Sequence, residues 1–124
     1  MFLFVYGTLQ HHFENRFARA LRQNADWMGL AVARGLLWLV ADYPAMTEGP
    51  RWVSGEVYRL RNPRKTLKML DRYEEAEYVR PRRIVTLKGR GKLCAEVYLY
   101  QAPLNALRPI PSGVFISPNR TKSR

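Results

Sequence analysis

Met1-Phe2-Leu3-Phe4-Val5-Tyr6-Gly7-Thr8-Leu9 opens the chain, and this stretch has the pattern of an apolar strand that runs directly into a glycine turn. A strand that is apolar on both faces is expected inside a sheet or barrel rather than at an edge. A turn at the end of such a strand can direct several backbone N–H groups at one point and so bind an anion. An interior strand would also hold the turn rigid, as a binding site requires. The alternative is an ordinary strand and turn without a ligand.

The length and composition predict one domain of mixed structure. The chain has 124 residues, of which 47% are hydrophobic and 12% aromatic, which is enough for a single core and too apolar for a disordered protein. Eight glycines and eight prolines indicate many turns, as in a β-rich or α+β fold. We expect a single domain over residues 1–118 and a basic, flexible tail over residues 119–124.

The chain is strongly basic, with 21 Lys and Arg against 10 Asp and Glu and a formal net charge of +11. Such a balance favours polyanionic partners in general. Here, however, the basic residues are spread along the whole chain, without the aromatic pattern of a single-strand binder or a groove-reading motif. We therefore expect that nucleic acid is not the partner and that the charge mainly favours solubility.

The single cysteine, Cys94, cannot form an internal disulfide, which favours a reducing compartment. Residues 1–9 lack the basic start and the long apolar core of a secretory signal. The longest apolar run, residues 36–41, is too short to cross a bilayer. These features predict a cytoplasmic protein that does not bind membranes.

Hydrophobic periodicity predicts two helices among several strands. Helical spacing covers residues 13–24, and Asn62-Pro63 has the pattern of a start for a second helix that ends near residue 74. Strands are predicted over the opening apolar stretch before the glycine turn, over 27–40 as one or two strands around Gly35, over 53–60, and over 82–87 and 93–100 as a hairpin. A turn is predicted at residues 42–44, and Gly55 is expected to mark a bulge or a close backbone approach.

The second predicted helix carries a carboxylate in an unusual place. Leu67 and Leu70 define its apolar face, and Glu74 continues that face at the helix C-terminus. Burial and the helix dipole would both raise the pKa of this carboxyl toward neutrality, as a general base requires. The alternative is that the helix ends a residue earlier and that Glu74 faces water or pairs with an arginine.

Other reactive residues give weaker patterns. His11 and His12 are adjacent but have no matching ligand cluster in the sequence, so we expect no metal ion. Cys94 would share a strand face with Glu96, Tyr98 and Tyr100, but no histidine is placed to activate a thiol nucleophile. Neither a phosphate loop nor a dinucleotide fingerprint is found, so no cofactor is expected.

Six short motifs occur in order along the chain and together are fairly specific. They are residues 4–9 (Phe-Val-Tyr-Gly-Thr-Leu), 43–45 (Tyr-Pro-Ala), 55–58 (Gly-Glu-Val-Tyr), 70–74 (Leu-Asp-Arg-Tyr-Glu), 78–80 (Tyr-Val-Arg) and 110–113 (Ile-Pro-Ser-Gly). In this order they resemble the motifs of the γ-glutamylcyclotransferase-like family. The resemblance covers nearly the whole chain and implies an α+β fold, a small mixed β-barrel flanked by helices.

The resemblance also implies a reaction, in which the α-amino group of a small γ-glutamyl substrate attacks its own γ-carbonyl to release an amine and 5-oxoproline. By match to the family motifs, Glu74 would be the catalytic base. The backbone of Tyr6, Gly7, Thr8 and Leu9 would hold the α-carboxylate or a developing oxyanion.

From their positions, Tyr78 and the tyrosines of the 98–100 strand, Tyr100 among them, are expected to line the pocket. The competing hypothesis is a non-catalytic protein that binds a small anionic metabolite on the same fold.

The sequence departs from the family pattern at two places. Glu75 stands where glycine commonly follows the glutamate, and a second acid there would raise the pKa of the base further or could replace it. Val114-Phe115 follows the late Ser-Gly step, where the family usually has an acidic and an aromatic residue. The sequence leaves the leaving group and the oligomeric state open.

Overall fold

The fold was analysed in a computed structural model that describes residues 1–74, 77–104 and 107–116. Two helices and eight strands alternate irregularly along this part of the chain, as expected for an α+β protein. In chain order they are β1 (Phe2–Val5), α1 (Arg16–Asn24), β2 (Ala25–Val40), β3 (Tyr43–Leu60), α2 (Pro63–Glu74), β4 (Tyr78–Val79), β5 (Arg82–Leu87), β6 (Gly91–Val97), β7 (Leu99–Tyr100) and β8 (Arg108–Pro109). The predicted tail lies outside the described residues.

Five strands close into a small mixed barrel, which confirms the predicted fold. Their order is β3-β1-β6-β5-β2, and β2 pairs again with β3 to complete the ring. β1 is antiparallel to β3, where Phe4 faces Val57, and parallel to β6, where Leu3 faces Glu96. The opening strand is therefore interior, as its two-sided apolar pattern predicts.

The long β2–β3 hairpin forms much of the barrel wall, and its turn and second strand depart from the prediction. β2 is one strand through Gly35, and its register shifts between Arg34 and Leu36. β3 begins at Tyr43 rather than at residue 53, because the chain already reverses at Ala41, which has φ +53°, and Asp42. The predicted 42–44 turn was therefore placed too late.

Two apolar cores lie on opposite sides of the barrel wall. One fills the barrel interior, with Phe4, Val57 and Val97 among its fully buried residues. The other lies between the barrel and the two helices, where Leu21 of α1 and Leu70 of α2 are fully buried. This second core fixes both helices against the barrel, and with them the positions of their ends.

Helix α1 begins three residues later than predicted. Asn15 caps it, accepting a hydrogen bond from the Ala18 N–H at 2.8 Å, so residues 13 and 14, which the prediction included in the helix, lie in the loop before it. Phe13 packs against Phe115 at a ring distance of 6.0 Å rather than continuing the helical face. Helix α2 spans Pro63–Glu74, within the predicted limits.

The predicted 93–100 strand is two elements in the structure. β6 ends at Val97, and β7 leaves the barrel to pair with β4, with Tyr100 opposite Tyr78. Cys94 on β6 is exposed, whereas Tyr98 is buried, so the two are in different surroundings. No described helix has both the length and the apolar character needed to span a membrane.

Candidate active site

A cavity of about 630 Å³ opens where β1 ends, and it collects most of the candidate residues. All four residues of the predicted glycine turn line it, as do Glu74, Tyr78 and Tyr100. Its described lining is Phe4, Val5, Tyr6, Gly7, Thr8, Leu9, Val40, Tyr43, Pro44, Tyr73, Glu74, Glu77, Tyr78, Tyr98, Tyr100 and Ala102. Residues from four separate motifs are thereby brought to one site.

The glycine turn is braced through its carbonyl groups. The Gln10 side chain donates to the carbonyls of Tyr6 and Gly7 at 3.1 and 3.2 Å, and Asn15 donates to the Thr8 carbonyl at 2.7 Å. In the hydrogen bonds of the described residues, the N–H groups of Gly7, Thr8 and Leu9 donate to no protein acceptor. Such unpaired amides in a rigid turn beside a cavity are suited to an anionic ligand.

Tyr6 anchors the turn to the barrel interior. Its buried hydroxyl donates to the Tyr98 carbonyl at 2.8 Å and accepts a hydrogen bond from the Met46 N–H at 3.3 Å. Desolvation by burial raises the pKa of Tyr6 well above its usual range, so the phenol stays neutral. Tyr6 therefore holds the turn in place through hydrogen bonds and does not transfer its proton to a ligand at neutral pH.

Glu74 reaches the cavity from the last residue of α2. The side chain is partly buried, and desolvation raises its pKa to about 7. Within the described residues no arginine or lysine forms an ion pair with it, so its charge is not neutralised by a neighbour. Glu75, the alternative base, lies outside the described residues.

Tyrosines form much of the remaining wall. Tyr78 and Tyr100 meet edge to face with ring centroids 5.4 Å apart, and the Tyr78 hydroxyl donates to the Pro44 carbonyl at 3.1 Å. Tyr43 and Tyr73 also line the cavity, although sequence reasoning gave neither of them a role. Both lie in motifs quoted above, and this membership was the feature of the sequence that could have identified them as residues of the site.

A charged network behind the wall positions Tyr98. The Tyr98 hydroxyl donates a hydrogen bond to Asp71 at 2.7 Å. Arg80 donates two further hydrogen bonds to the same carboxylate, at 2.8 and 3.0 Å. Arg80 also contacts buried Glu96, which accepts a further hydrogen bond from Arg82 at 2.9 Å. The Arg80 hydrogen bonds hold the pKa of Asp71 below its ordinary value.

The charged side chains that line the cavity are acidic, whereas the chain as a whole is strongly basic. Despite the net charge of +11, its described lining contains no lysine or arginine, and its two ionisable acids are Glu74 and Glu77. Glu77 is exposed, whereas Glu74 is partly buried. A ligand in this cavity therefore contacts backbone N–H groups at the turn and aromatic rings along the wall. It also faces two acidic side chains, Glu74 at the end of α2 and Glu77 just before β4.

A family model described as gamma-glutamyl cyclotransferase, AIG2-like, matches residues 3–117. The chain belongs to the γ-glutamylcyclotransferase family. It is 35% identical over 122 residues to the γ-glutamylcyclotransferase family protein YtfP of Escherichia coli K12, covering 91% of this chain and 94% of that one.

Solved structures of the γ-glutamylcyclotransferase family share this architecture. The solution structure of E. coli ytfP is 34% identical, with a TM-score of 0.66 over 94% of this chain and 96% of that one. The crystal structure of a mouse AIG2-like protein has a TM-score of 0.70 at 22% identity, covering 96% of each chain. At that identity the likeness shows a common fold.

Proposed function

We propose that the protein is a γ-glutamyl cyclotransferase that converts a small γ-glutamyl compound into 5-oxoproline and a free amine. One observation carries the proposal. A carboxyl with a pKa of about 7 shares a single cavity with three backbone N–H groups that have no described protein acceptor. A base and an anion-binding turn are the two parts that this cyclisation needs, since the substrate supplies its own nucleophile.

In the proposed reaction the turn holds the substrate α-carboxylate, and the substrate folds so that its α-nitrogen faces the γ-carbonyl. Glu74 accepts a proton from the α-ammonium, and the freed nitrogen pair forms a bond to the γ-carbon, giving a tetrahedral oxyanion. Glu74 gives this proton to the leaving nitrogen as the oxyanion collapses and the bond between that nitrogen and the γ-carbon breaks. The ring nitrogen still carries two protons after its attack, and it loses the second one through Glu74 to the released amine. Holding the reacting atoms together can contribute ~7 kcal/mol or more, because the attack is intramolecular.

The raised pKa suits Glu74 to both halves of this cycle. An ordinary glutamate with a pKa near 4.5 would be a poor acceptor for an ammonium proton, whereas a pKa of about 7 brings base and acid forms close in energy at neutral pH. The physical cause is desolvation, so the same apolar wall that binds the substrate also tunes the base.

The cavity also restricts the leaving group. Aromatic rings of Tyr43, Tyr78 and Tyr100 and the carboxylate of Glu77 favour an amine that is apolar or carries a second positive charge, through burial and cation–π attraction. A leaving group with its own carboxylate would face Glu74 and Glu77 without a described cation to balance it. We therefore propose that γ-glutamyl amines are better substrates than γ-glutamyl α-amino acids.

The test is an assay of 5-oxoproline release with matched pairs of γ-glutamyl compounds, each pair differing only in a carboxylate on the leaving amine. We expect turnover with a preference for the member that lacks this carboxylate. Glu74→Gln should lower the rate about 10²- to 10⁴-fold, while Glu48→Gln, an exposed acid paired with Arg83, should leave it unchanged.

Three results would contradict parts of the proposal. Ligand binding without any 5-oxoproline would support the non-catalytic alternative. A fully active Glu74→Gln enzyme would shift the base to Glu75, which the matching Glu75→Gln variant would then reveal. A preference for carboxylate-bearing leaving groups would refute the proposed role of the cavity wall in selecting the leaving group. It would not affect the assignment of Glu74 as the base.

A further inference from the structure

A second cluster of possible metal ligands lies outside the cavity, where the loop before α1 meets strand β3. His11, His12 and Glu56 each place one possible ligand atom within 4.8 Å of the other two. None of the three lines the cavity of the proposed active site. Glu56 is 45 residues from His11 in sequence, so this histidine–glutamate cluster arises only in the folded chain.

Glu56 is a rigid, buried component of the cluster. It lies on β3 opposite Val5 and is only 2% exposed. Its Oε1 atom accepts hydrogen bonds from the His11 N–H at 2.8 Å and from the Trp27 indole at 3.2 Å. The remaining oxygen, Oε2, lies 2.6 Å from His11 Nδ1, so a single proton joins the imidazole and the carboxylate.

The two histidines sit on a backbone that is already held in place. The Arg22 guanidinium donates to the carbonyls of His11 and Phe13 at 2.9 and 2.7 Å, and its charge is paired with Glu14 at 3.3 Å. The His12 ring packs between those of His11 and Phe13, with centroid distances of 5.6 and 4.5 Å. Little conformational freedom of the backbone is therefore lost when both imidazoles bind one ligand.

We propose that His11, His12 and Glu56 form a binding site for a divalent transition-metal ion of the zinc class. Two imidazoles and one carboxylate are ligands that suit Zn²⁺ and disfavour Mg²⁺ or Ca²⁺, which prefer all-oxygen sites. The ion takes the place of the proton between His11 and Glu56, and rotation of the two exposed histidine side chains widens the 2.6 Å separation while Glu56 stays in place. Because both histidines are exposed, water completes the coordination.

This inference is independent of the proposed cyclotransferase activity. The probe is Co²⁺ alone, titrated into tag-free protein and followed by its visible absorption, with Zn²⁺ then added to displace it. The background is Cys94→Ser, because that thiol is exposed and could bind metal by itself. The expected result is saturable binding of one ion per chain, with displacement by Zn²⁺ and a rise in the melting temperature of the protein.

Three variants distinguish the cluster from other sites. His12→Ala and Glu56→Gln should each weaken binding at least ~10-fold, while Glu48→Gln, an exposed acid outside the cluster that pairs with Arg83, should not change it. His12 is exposed, so its alanine variant should fold even if the buried Glu56 substitution does not. Unchanged binding in His12→Ala, or no saturable binding in the Cys94→Ser background, would overturn the proposal.

Discussion

The hydroxyl groups of Thr8 and Tyr73 lie 2.7 Å apart, and this hydrogen bond joins the glycine turn to the helix that carries Glu74. Tyr73 is the residue immediately before Glu74, and its ring stacks on Phe17 of α1 at 4.3 Å. The proposed anion site and the proposed base are therefore linked through a single pair of side chains. That link fixes their separation, on which an intramolecular attack depends.

Removing this hydrogen bond should lower activity without unfolding the protein. We expect Thr8→Val and Tyr73→Phe each to reduce kcat/KM about 5- to 10-fold, which corresponds to ~1 kcal/mol for one hydrogen bond. The double variant should be little worse than either single one, because both remove the same bond. Additive losses in this cycle would show that the two residues act separately.

The pKa of Glu74 predicts a pH profile for the proposed reaction. The base works in its ionised form, so kcat/KM should rise about tenfold per pH unit below about pH 7 and level off above it. An ordinary glutamate would already be fully ionised at pH 6. Initial rates between pH 5 and pH 8 provide the measurement, and a profile that is flat over this range would exclude Glu74 as the titrating base.

The same pKa predicts how Glu74 affects stability. A carboxyl whose pKa is raised by folding favours the native state below the unfolded pKa, and this contribution is lost as the pH rises through about 7. Glu74→Gln removes the buried charge, so at pH 8 it should stabilise the protein by up to about 3 kcal/mol. Urea unfolding at pH 8 and at pH 4 should show this gain only at the higher pH, and an equal effect at both would contradict the prediction.

Two glycines near the site should tolerate alanine poorly, and to different degrees. A Cβ on Gly55 would lie 2.3 Å from the Val5 carbonyl oxygen, so the β1–β3 pairing itself must shift. A Cβ on Gly7 would lie 2.4 Å from Cγ of the Pro44 ring, which can move at a cost of about 1–3 kcal/mol. We expect Gly55→Ala to be the more destabilising in urea titrations, with Ser54→Ala as the control at the neighbouring position.

Gly7→Ala should also lower activity more than its stability loss explains. The displaced Pro44 ring belongs to the cavity wall, and its carbonyl accepts the Tyr78 hydroxyl. Comparing kcat/KM with the fraction folded separates the two effects. Activity that simply follows the folded fraction would show that Pro44 can move without disturbing the site.

The amino-acid pattern determined the local elements of this protein. Two-sided apolarity placed β1 in the interior, and Asn62-Pro63 together with the Leu67–Leu70 spacing defined α2 and placed Glu74 at its end. Local conformation depends on nearby residues, so periodicity and turn chemistry suffice for it. The ordered motifs likewise indicated the family, since they run along nearly the whole chain.

The arrangement of these elements in space was decided by tertiary structure alone. Local propensity did not reveal that the predicted 93–100 strand is interrupted at Tyr98, so that β7 pairs with β4. It also did not reveal that Tyr43 and Tyr73 line one cavity. The third member of the histidine–glutamate cluster comes from a strand 45 residues away, and no spacing rule connects it to His11. Desolvation, which gives Glu74 its raised pKa, depends on surfaces brought together by barrel closure, and those surfaces have no local counterpart in the sequence.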